Sequence, residues 1–218
     1  MAASTPSLAP DVLFKAAQGP RGWLESAKRL SAAAELILSD QLQHEVPYFR
    51  AHQAATDKAL ALACATINGA GHADIEYDPP NYLPAQLLYG FALENVFKGL
   101  CVAKDPSLIG DLKLKAEIKS HDLKDLADKA GFTLGIEEVP VLDALSQIAI
   151  WAGRYPVAVA LDKYPDRYPM GDPQSLLDYG AHHPILRRCF ARAVETLEKL
   201  AGTGPRFGVV VVFAPKTA

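Results

Sequence analysis

A polar stripe runs along a helix that is otherwise apolar, within the segment LLYGFALENVFKGLCVA. At about 100° per residue, Glu94, Asn95 and Lys98 fall within one arc of about 100°. Nearly all other positions are apolar, namely Leu87, Leu88, Phe91, Leu93, Val96, Phe97, Leu100 and Val102. Such a helix is buried on most sides. Because an isolated ion in a protein interior is costly, these charges must be paired or must line a crevice, which is the best candidate for a site.

The length and composition indicate one globular domain with loose ends. The chain has 218 residues, half of them apolar, and its formal net charge of -3 provides no global field that would attract a polyanion. Its three cysteines, Cys64, Cys101 and Cys189, are widely spaced, which is typical of reduced thiols. The N-terminus has no signal-peptide pattern, and no stretch is apolar enough to span a bilayer. We therefore expect a cytoplasmic protein with no membrane contact.

Helical spacing of apolar residues begins near the N-terminus. A first helix is predicted to follow Pro20, and a second to run from near Pro47 to about Asn68. The residues expected to face inward are Trp23, Ala27, Leu30, Ala34 and Ile37 in the first helix, and Phe49, Ala55, Ala59, Leu62, Ala63 and Thr66 in the second. A loop should follow, since Asp78-Pro79-Pro80 is incompatible with a helix.

The rest of the chain continues this helical pattern. The central helix is predicted over residues 84–103, and Asp122 is the expected N-cap of a short helix that ends at Ala130. Two further helices are predicted over about 140–152 and about 184–200. Residues 112–118 are either a strand-like connector or part of a helix.

These elements predict an all-α fold, an up-and-down antiparallel bundle of about five to six helices. Residues 1–19 are expected to form a flexible lead-in, residues 20–203 the bundle and residues 204–218 a tail. The segment near 153–180 is predicted to be a long irregular loop, and such loops are usually functional or disordered. The tail contains a β-prone run, VVVVF, that we expect to pair or dock, either on this chain or on another subunit.

Several chemical signatures are missing from the sequence. The zincin pattern lacks its second histidine, and there is no Glu-x-x-His pair for a di-iron bundle. The dinucleotide-binding pattern lacks its third glycine, and neither a Walker lysine nor a Cys-x-x-Cys pair is present. We therefore predict no metal site and no cofactor.

Three segments together resemble the HEPN domains of prokaryotes. They read YGFALENVFKGLCVAK, HDLKDLADKAG and IWAGRYP, and the resemblance covers roughly residues 82–156. It implies an up-and-down helical bundle that commonly forms a homodimer, with a family role in nucleotide or RNA binding. It also implies an association with defence or toxin-antitoxin systems, which is analogy alone.

Catalytic HEPN members are metal-independent ribonucleases that carry an arginine followed after a few residues by a histidine. Here no histidine follows Arg154 or Arg167 at that spacing, and none follows Arg187 anywhere in the chain. The resemblance therefore implies a divergent member that binds and does not cleave.

The leading hypothesis is a non-catalytic module that binds a nucleotide, RNA or a protein partner through a polar crevice. The residues expected to border this crevice are Glu94, Asn95, Lys98, His121, Arg154 and Tyr155. In this hypothesis, Lys98 and Arg154 contact phosphate while Tyr155 stacks on a base.

Two other functions remain open. One is a ribonuclease in which His121 is the general base and Arg154 stabilises the phosphate in the transition state. The other is a dimeric interaction scaffold with no small ligand, in which the polar stripe sets helix register and the tail joins subunits.

Each of these residues also has a purely structural interpretation. Glu94 and Lys98 form an i,i+4 pair in the favourable order, and His121 precedes a helix start, where bonds to local backbone are common. The pair His182-His183 is read as an exposed helix entry in preference to a metal site. A basic edge is formed by Arg187, Arg188 and Arg192. The ordinary interpretation is a solvated face, and the alternative is a strip that contacts phosphate.

Overall fold

The computed structural model describes residue 14 and residues 17–65, 71–75, 77–110, 113–152 and 177–202, the last two of residues 113–152 by their backbone alone. It is 78% helical, with five helices and one small sheet in this part of the chain, which confirms the all-α prediction. The helices are α1 (Pro20–Ala65), α2 (Leu83–Lys104), α3 (Leu123–Lys129), α4 (Glu138–Gln147) and α5 (Tyr179–Ala201). A π-helical turn, Ile148–Ala152, extends α4.

Helix α2 is the centre of the bundle. It begins one residue before the predicted start and ends one residue after the predicted end. Most of its side chains are buried, because α1, α3, α4 and α5 all pack against it. The largest fully buried side chains include Leu93, Phe97, Leu100, Leu126, Leu142 and Leu197. The apolar surround of the polar stripe is therefore the hydrophobic core of the protein.

The sequence left open whether the connector after α2 is strand-like or helical, and the structure contains short elements of both kinds. Strands β1 (Ile109–Gly110) and β2 (Lys113–Leu114) pair antiparallel, with Ile109 opposite Leu114. A 3₁₀ turn, Ala116–Ile118, follows, and Asp122 then caps α3 by accepting a 3.0 Å hydrogen bond from the Asp125 amide. The predicted cap is confirmed.

One long helix replaces the two that were predicted for residues 20–68. Helix α1 continues through Pro47, so the predicted break there was wrong. Proline removes one backbone donor and leaves the carbonyl four residues earlier without its helical partner. Both Gln43 and Pro47 are exposed, so water can satisfy that carbonyl and the helix tolerates the proline.

The second half of α1, residues 39–65, contains no buried residue, because the last buried position of the helix is Leu38. We call this half the arm. Phe49 and Leu62 were expected to face inward, but they are 57% and 42% exposed. The prediction failed because helical periodicity identifies an apolar side and not whether anything covers it.

Helix α5 begins five residues before its predicted start. Asp178 is its N-cap and accepts a 2.7 Å hydrogen bond from the Ala181 amide, so Pro184 lies inside the helix. Pro184 removes the helical partner of the Gly180 carbonyl, but Gly180 is exposed, so water can bind that carbonyl. The helix tolerates Pro47 for the same reason. The predicted lead-in up to residue 13, most of the loop (153–176) and the tail from residue 203 lie outside the described residues.

Candidate functional site

Two residues of the polar stripe of α2, Glu94 and Lys98, form a chain of three side chains with His121. The Lys98 Nζ donates to Glu94 Oε1 at 2.6 Å, and the other oxygen of Glu94 lies 2.8 Å from His121 Nδ1. The Glu94 and Lys98 side chains are only 10% and 6% exposed, whereas the His121 side chain is 44% exposed. One buried carboxylate therefore joins a buried ammonium to an imidazole at the surface.

Local structure places His121 where it meets α2. The 3₁₀ turn ends at Ile118, which is buried, and α3 begins with Leu123, which is also buried. The Leu123 amide donates to Ser146 Oγ on α4 at 3.0 Å. Since this short connection is anchored on both sides, the imidazole between the anchors is held against Glu94.

The other predicted site residues do not join this chain in the described structure. Asn95 Nδ2 donates to Ser26 Oγ on α1 at 3.1 Å, so its amide bonds to α1 and not to His121. Arg154 and Tyr155 lie outside the described residues. The structure therefore brings Glu94, Lys98 and His121 together.

This arrangement defines what His121 can do chemically. A carboxylate only accepts hydrogen bonds, so the proton lies on Nδ1 of His121. In the neutral ring, Nε2 is then left as a hydrogen-bond acceptor on the other side. A histidine that is oriented in this way by a fixed carboxylate can bind a donor or accept a proton.

A second polar cluster was not predicted from the sequence. Glu35 of α1 accepts hydrogen bonds from the Tyr89 hydroxyl of α2 and from the Arg187 guanidinium of α5, the latter through Nε at 2.8 Å and through Nη2. His183 Nε2 lies 3.3 Å from the same carboxylate. The one available signal was the four-residue spacing of His183 and Arg187 on α5, since nothing local marks Glu35 or Tyr89.

Charge and burial shift the titration of this cluster. The hydrogen bond from Arg187 lowers the pKa of Glu35 to about 2, against the opposing effect of burial. Burial, and then the charge of Arg187, lower the pKa of His183. Burial and the Glu35 hydrogen bond raise the pKa of Tyr89. At neutral pH the cluster therefore holds a paired carboxylate beside a buried, neutral imidazole.

This cluster predicts a specific dependence of stability on pH. Between the ordinary Glu pKa of 4.5 and about 2, the unfolded chain binds a proton that folded Glu35 does not, so the stabilisation from Glu35 is present above this window and is lost as pH falls through it. We expect urea unfolding midpoints of the wild type to fall more steeply there than those of Glu35→Gln. Equal slopes for the two proteins would contradict the prediction.

The basic edge of α5 is matched by carboxylates in the structure. Besides the Arg187 pair, Arg188 lies 2.7 Å from Glu137, and Arg192 lies 3.3 Å from Glu138. Arg192 also donates to the Thr133 carbonyl at 2.8 Å. These ion pairs favour the interpretation of the edge as a solvated face of the bundle.

The two histidines at the start of α5 have different partners. His182 Nδ1 accepts a 2.8 Å hydrogen bond from the Asp178 amide, while His183 is buried beside Glu35 and stacks on the Tyr179 ring. The expected exposed entry was therefore wrong for His183, which is buried, while His182 is half-buried. Among the residues that the structure describes, no group of three or more His, Cys, Asp and Glu side chains could hold a metal ion.

Two concave regions lie away from His121. A shallow depression of about 520 Å³ is lined by residues 131–135 together with Arg192, Glu195 and Thr196. A cavity of about 10 Å³ lies beside Gln86, Tyr89 and His183, which is the space of a single water molecule. Neither region includes Glu94, Lys98 or His121 in its lining.

Comparisons with known proteins do not extend these observations. No protein-family model, curated protein or solved structure matches this chain significantly. The resemblance to HEPN domains therefore stays a prediction. In the part of the chain that is described, no helix is both long enough and apolar enough to cross a membrane.

Proposed function

We propose that this chain is a non-catalytic, HEPN-like binding module whose ligand site is centred on His121. One observation carries the proposal: a surface imidazole bonded at 2.8 Å to a buried carboxylate, which is itself paired with a buried lysine. A simple surface histidine needs no such support. Holding a side chain in one orientation before binding reduces the entropy that the ligand must overcome.

The proposed roles of the three residues differ from each other. His121 contacts the ligand, and Glu94 orients the imidazole. Lys98 acts through Glu94, because its side chain is 6% exposed and bonded to that carboxylate, which leaves little surface for a phosphate. Arg154 and Tyr155 remain the proposed phosphate and base contacts of the same site, as the sequence predicts.

The proposed ligand is a nucleotide or a short RNA, in line with the family resemblance. We expect the wild type to bind mono- and dinucleotides or short RNAs. His121→Ala should lose roughly tenfold in affinity, because the ligand loses the hydrogen bond that Nε2 accepts from one of its hydroxyl or N–H groups, and one such bond contributes up to about 1.5 kcal/mol. The measurement is a titration followed by fluorescence anisotropy at two salt concentrations, since phosphate contacts are salt-sensitive.

A matched control is His72→Ala. His72 also pairs with a carboxylate, Asp74 at 3.0 Å, but both side chains are almost fully exposed, and among the described residues no buried lysine pairs with Asp74. We expect this variant to bind as the wild type does. Equal binding by all three proteins, or no binding by the wild type, would overturn the proposal.

A second candidate, a metal-independent ribonuclease, is favoured by the same geometry, because a carboxylate-oriented histidine is a common form of general base. In that case the RNA is shortened during the titration, and shortening stops in His121→Ala but not in His72→Ala. Intact RNA at all times removes this candidate and leaves the binding function.

A further inference from the structure

The bundle contains a second, smaller hydrophobic cluster beside its main core. Its buried members are two residues of α1, Ala34 and Leu38, and two of α2, Ala85 and Tyr89. The partly buried side chains that pack against them include Tyr82, Tyr179 and Phe190. We call this cluster the satellite core. Since it buries far fewer of the described residues than the main core does, it should open at a lower cost in free energy.

His183 holds the start of α5 against the satellite core. Its side chain is only 6% exposed. Its ring stacks on the Tyr179 ring, with the centroids 5.0 Å apart, and makes a T-shaped contact with the Tyr89 ring at 5.2 Å. The Tyr179 ring stacks in turn on the ring of Tyr82, which immediately precedes α2. These ring contacts join the first turn of α5 to α2.

The buried imidazole has no acceptor available for an added proton. His183 Nε2 lies 3.3 Å from Glu35 Oε1, but it makes no hydrogen bond within the described residues. Glu35 Oε1 already accepts hydrogen bonds from the Tyr89 hydroxyl and from Arg187 Nε. A carboxylate oxygen has about two lone-pair sites, so both sites on Oε1 are occupied. A protonated ring could bond to this oxygen only if Tyr89 or Arg187 gave up its own bond.

Titratable groups face this ring from each of the three helices that meet here. They are Glu35 on α1, Tyr89 on α2, and Tyr179 and Arg187 on α5, with Asp178 and His182 lining the adjoining cavity. Arg187 is bound to Glu35, so this carboxylate is not free to act as the counter-ion of an imidazolium. Burial, and then the charge of Arg187, accordingly lower the pKa of His183. A charged ring is therefore unfavourable in the closed arrangement and becomes favourable once water reaches it.

We propose that His183 is an acid-sensitive switch: when this imidazole takes up a proton, the start of α5 separates from the satellite core while the main core stays folded. The open form binds the proton at about the ordinary histidine pKa of 6.5, and the closed form binds it only at lower pH. Acid therefore favours the open form. The response begins well above the pH window in which Glu35 titrates, so the two effects can be measured separately.

The first test is hydrogen exchange of the backbone amides of residues 182–187, measured at about pH 7.5 and about pH 5.5 and corrected for the intrinsic pH dependence of exchange. We expect the open fraction of these amides to rise by up to about tenfold at the lower pH, which lies about one unit below the ordinary pKa of 6.5. His183→Gln cannot take up the proton in this range and should lose the rise.

The matched control is His182→Asn, at the neighbouring histidine. His182 Nδ1 accepts a 2.8 Å hydrogen bond from the Asp178 amide, a role that the asparagine oxygen can keep. We expect this variant to respond to acid as the wild type does. Loss of the response in both variants, or its persistence in His183→Gln, would overturn the proposal.

The same exchange data show whether the opening is local. Residues 93–100 of α2 contribute Leu93, Val96, Phe97 and Leu100 to the main core, so their amides should exchange much more slowly than those of residues 182–187 at both pH values. Equal open fractions for the two sets would mean that α5 separates only when the whole bundle unfolds, and the proposal would then be wrong.

A second measurement needs no substitution. The His183 ring, identified in NMR spectra of the wild type by its contacts with the Tyr179 ring, should take up its proton below pH 6.5. A ring that titrates at pH 6.5 or above would contradict the proposal, because the closed form would then accept the charge without cost.

Discussion

Glu94→Ala is expected to lower the free energy of unfolding by about 3–5 kcal/mol, the usual cost of removing one partner of a buried ion pair. The replacement leaves the Lys98 ammonium, whose side chain is 6% exposed, without any other hydrogen-bond partner that the described part of the chain shows. Urea unfolding followed by circular dichroism measures the loss directly.

Two controls separate the effect of burying an ion pair from the effect of the ion pair itself. Glu195→Ala removes an i,i+4 ion pair of the same kind, with Lys199 at 2.7 Å, but in that pair the side chains are 72% and 65% exposed, so little change is expected. The double variant Glu94→Leu, Lys98→Met removes both charges and should recover most of the stability. If Glu94→Ala lowered the free energy of unfolding no more than Glu195→Ala does, the buried ion pair would not stabilise the bundle.

Gly99→Ala is expected to destabilise the protein by about 1–3 kcal/mol, the usual cost of overpacking a core. A Cβ at this position of α2 would lie 2.7 Å from Leu197 Cδ2 and 2.9 Å from Trp23 Cβ. Leu197 is fully buried, and the Cβ of Trp23 is attached directly to the backbone of α1, so relieving the second contact requires a shift of the helices. Gly99 thus lets α1 and α5 approach α2 closely, and the steric cost outweighs the helix propensity gained with alanine.

Gly90→Ala is the matched control in the same helix. A Cβ there would meet Ala149 Cβ and the Leu145 carbonyl oxygen at 3.5 Å, which is ordinary contact. We expect unchanged stability or a gain of up to about 1 kcal/mol from helix propensity. Equal urea midpoints for Gly99→Ala and Gly90→Ala would contradict the close packing inferred at Gly99.

Features that depend on neighbours in sequence were predictable from the sequence. The burial of α2 follows from its composition, and the Glu94–Lys98 bond follows from i,i+4 spacing on a helix. The Asp122 cap depends on one side chain and an amide three residues later. In each case the chain itself holds the partners together, so local geometry is sufficient.

Features that depend on solvent or on distant residues were not predictable. Whether Pro47 ends α1 depends on whether water can reach the carbonyl that loses its partner. The Glu35 cluster joins side chains from three helices, with Glu35 and Arg187 separated by 152 residues. His121 meets Glu94 across 27 residues, and sequence spacing does not reveal that contact.

The sequence by itself thus determined that the fold is helical, that α2 is buried and that Glu94 pairs with Lys98 within it, because periodicity and short-range bonding act within a few residues of each other. The tertiary structure alone decided that His121 contacts this pair, that Glu35 accepts hydrogen bonds from Tyr89 and Arg187, and that no residue of the arm is buried. The physical reason is that these properties depend on which surfaces of separate helices meet, and that choice is made by packing and solvent exclusion over the whole bundle.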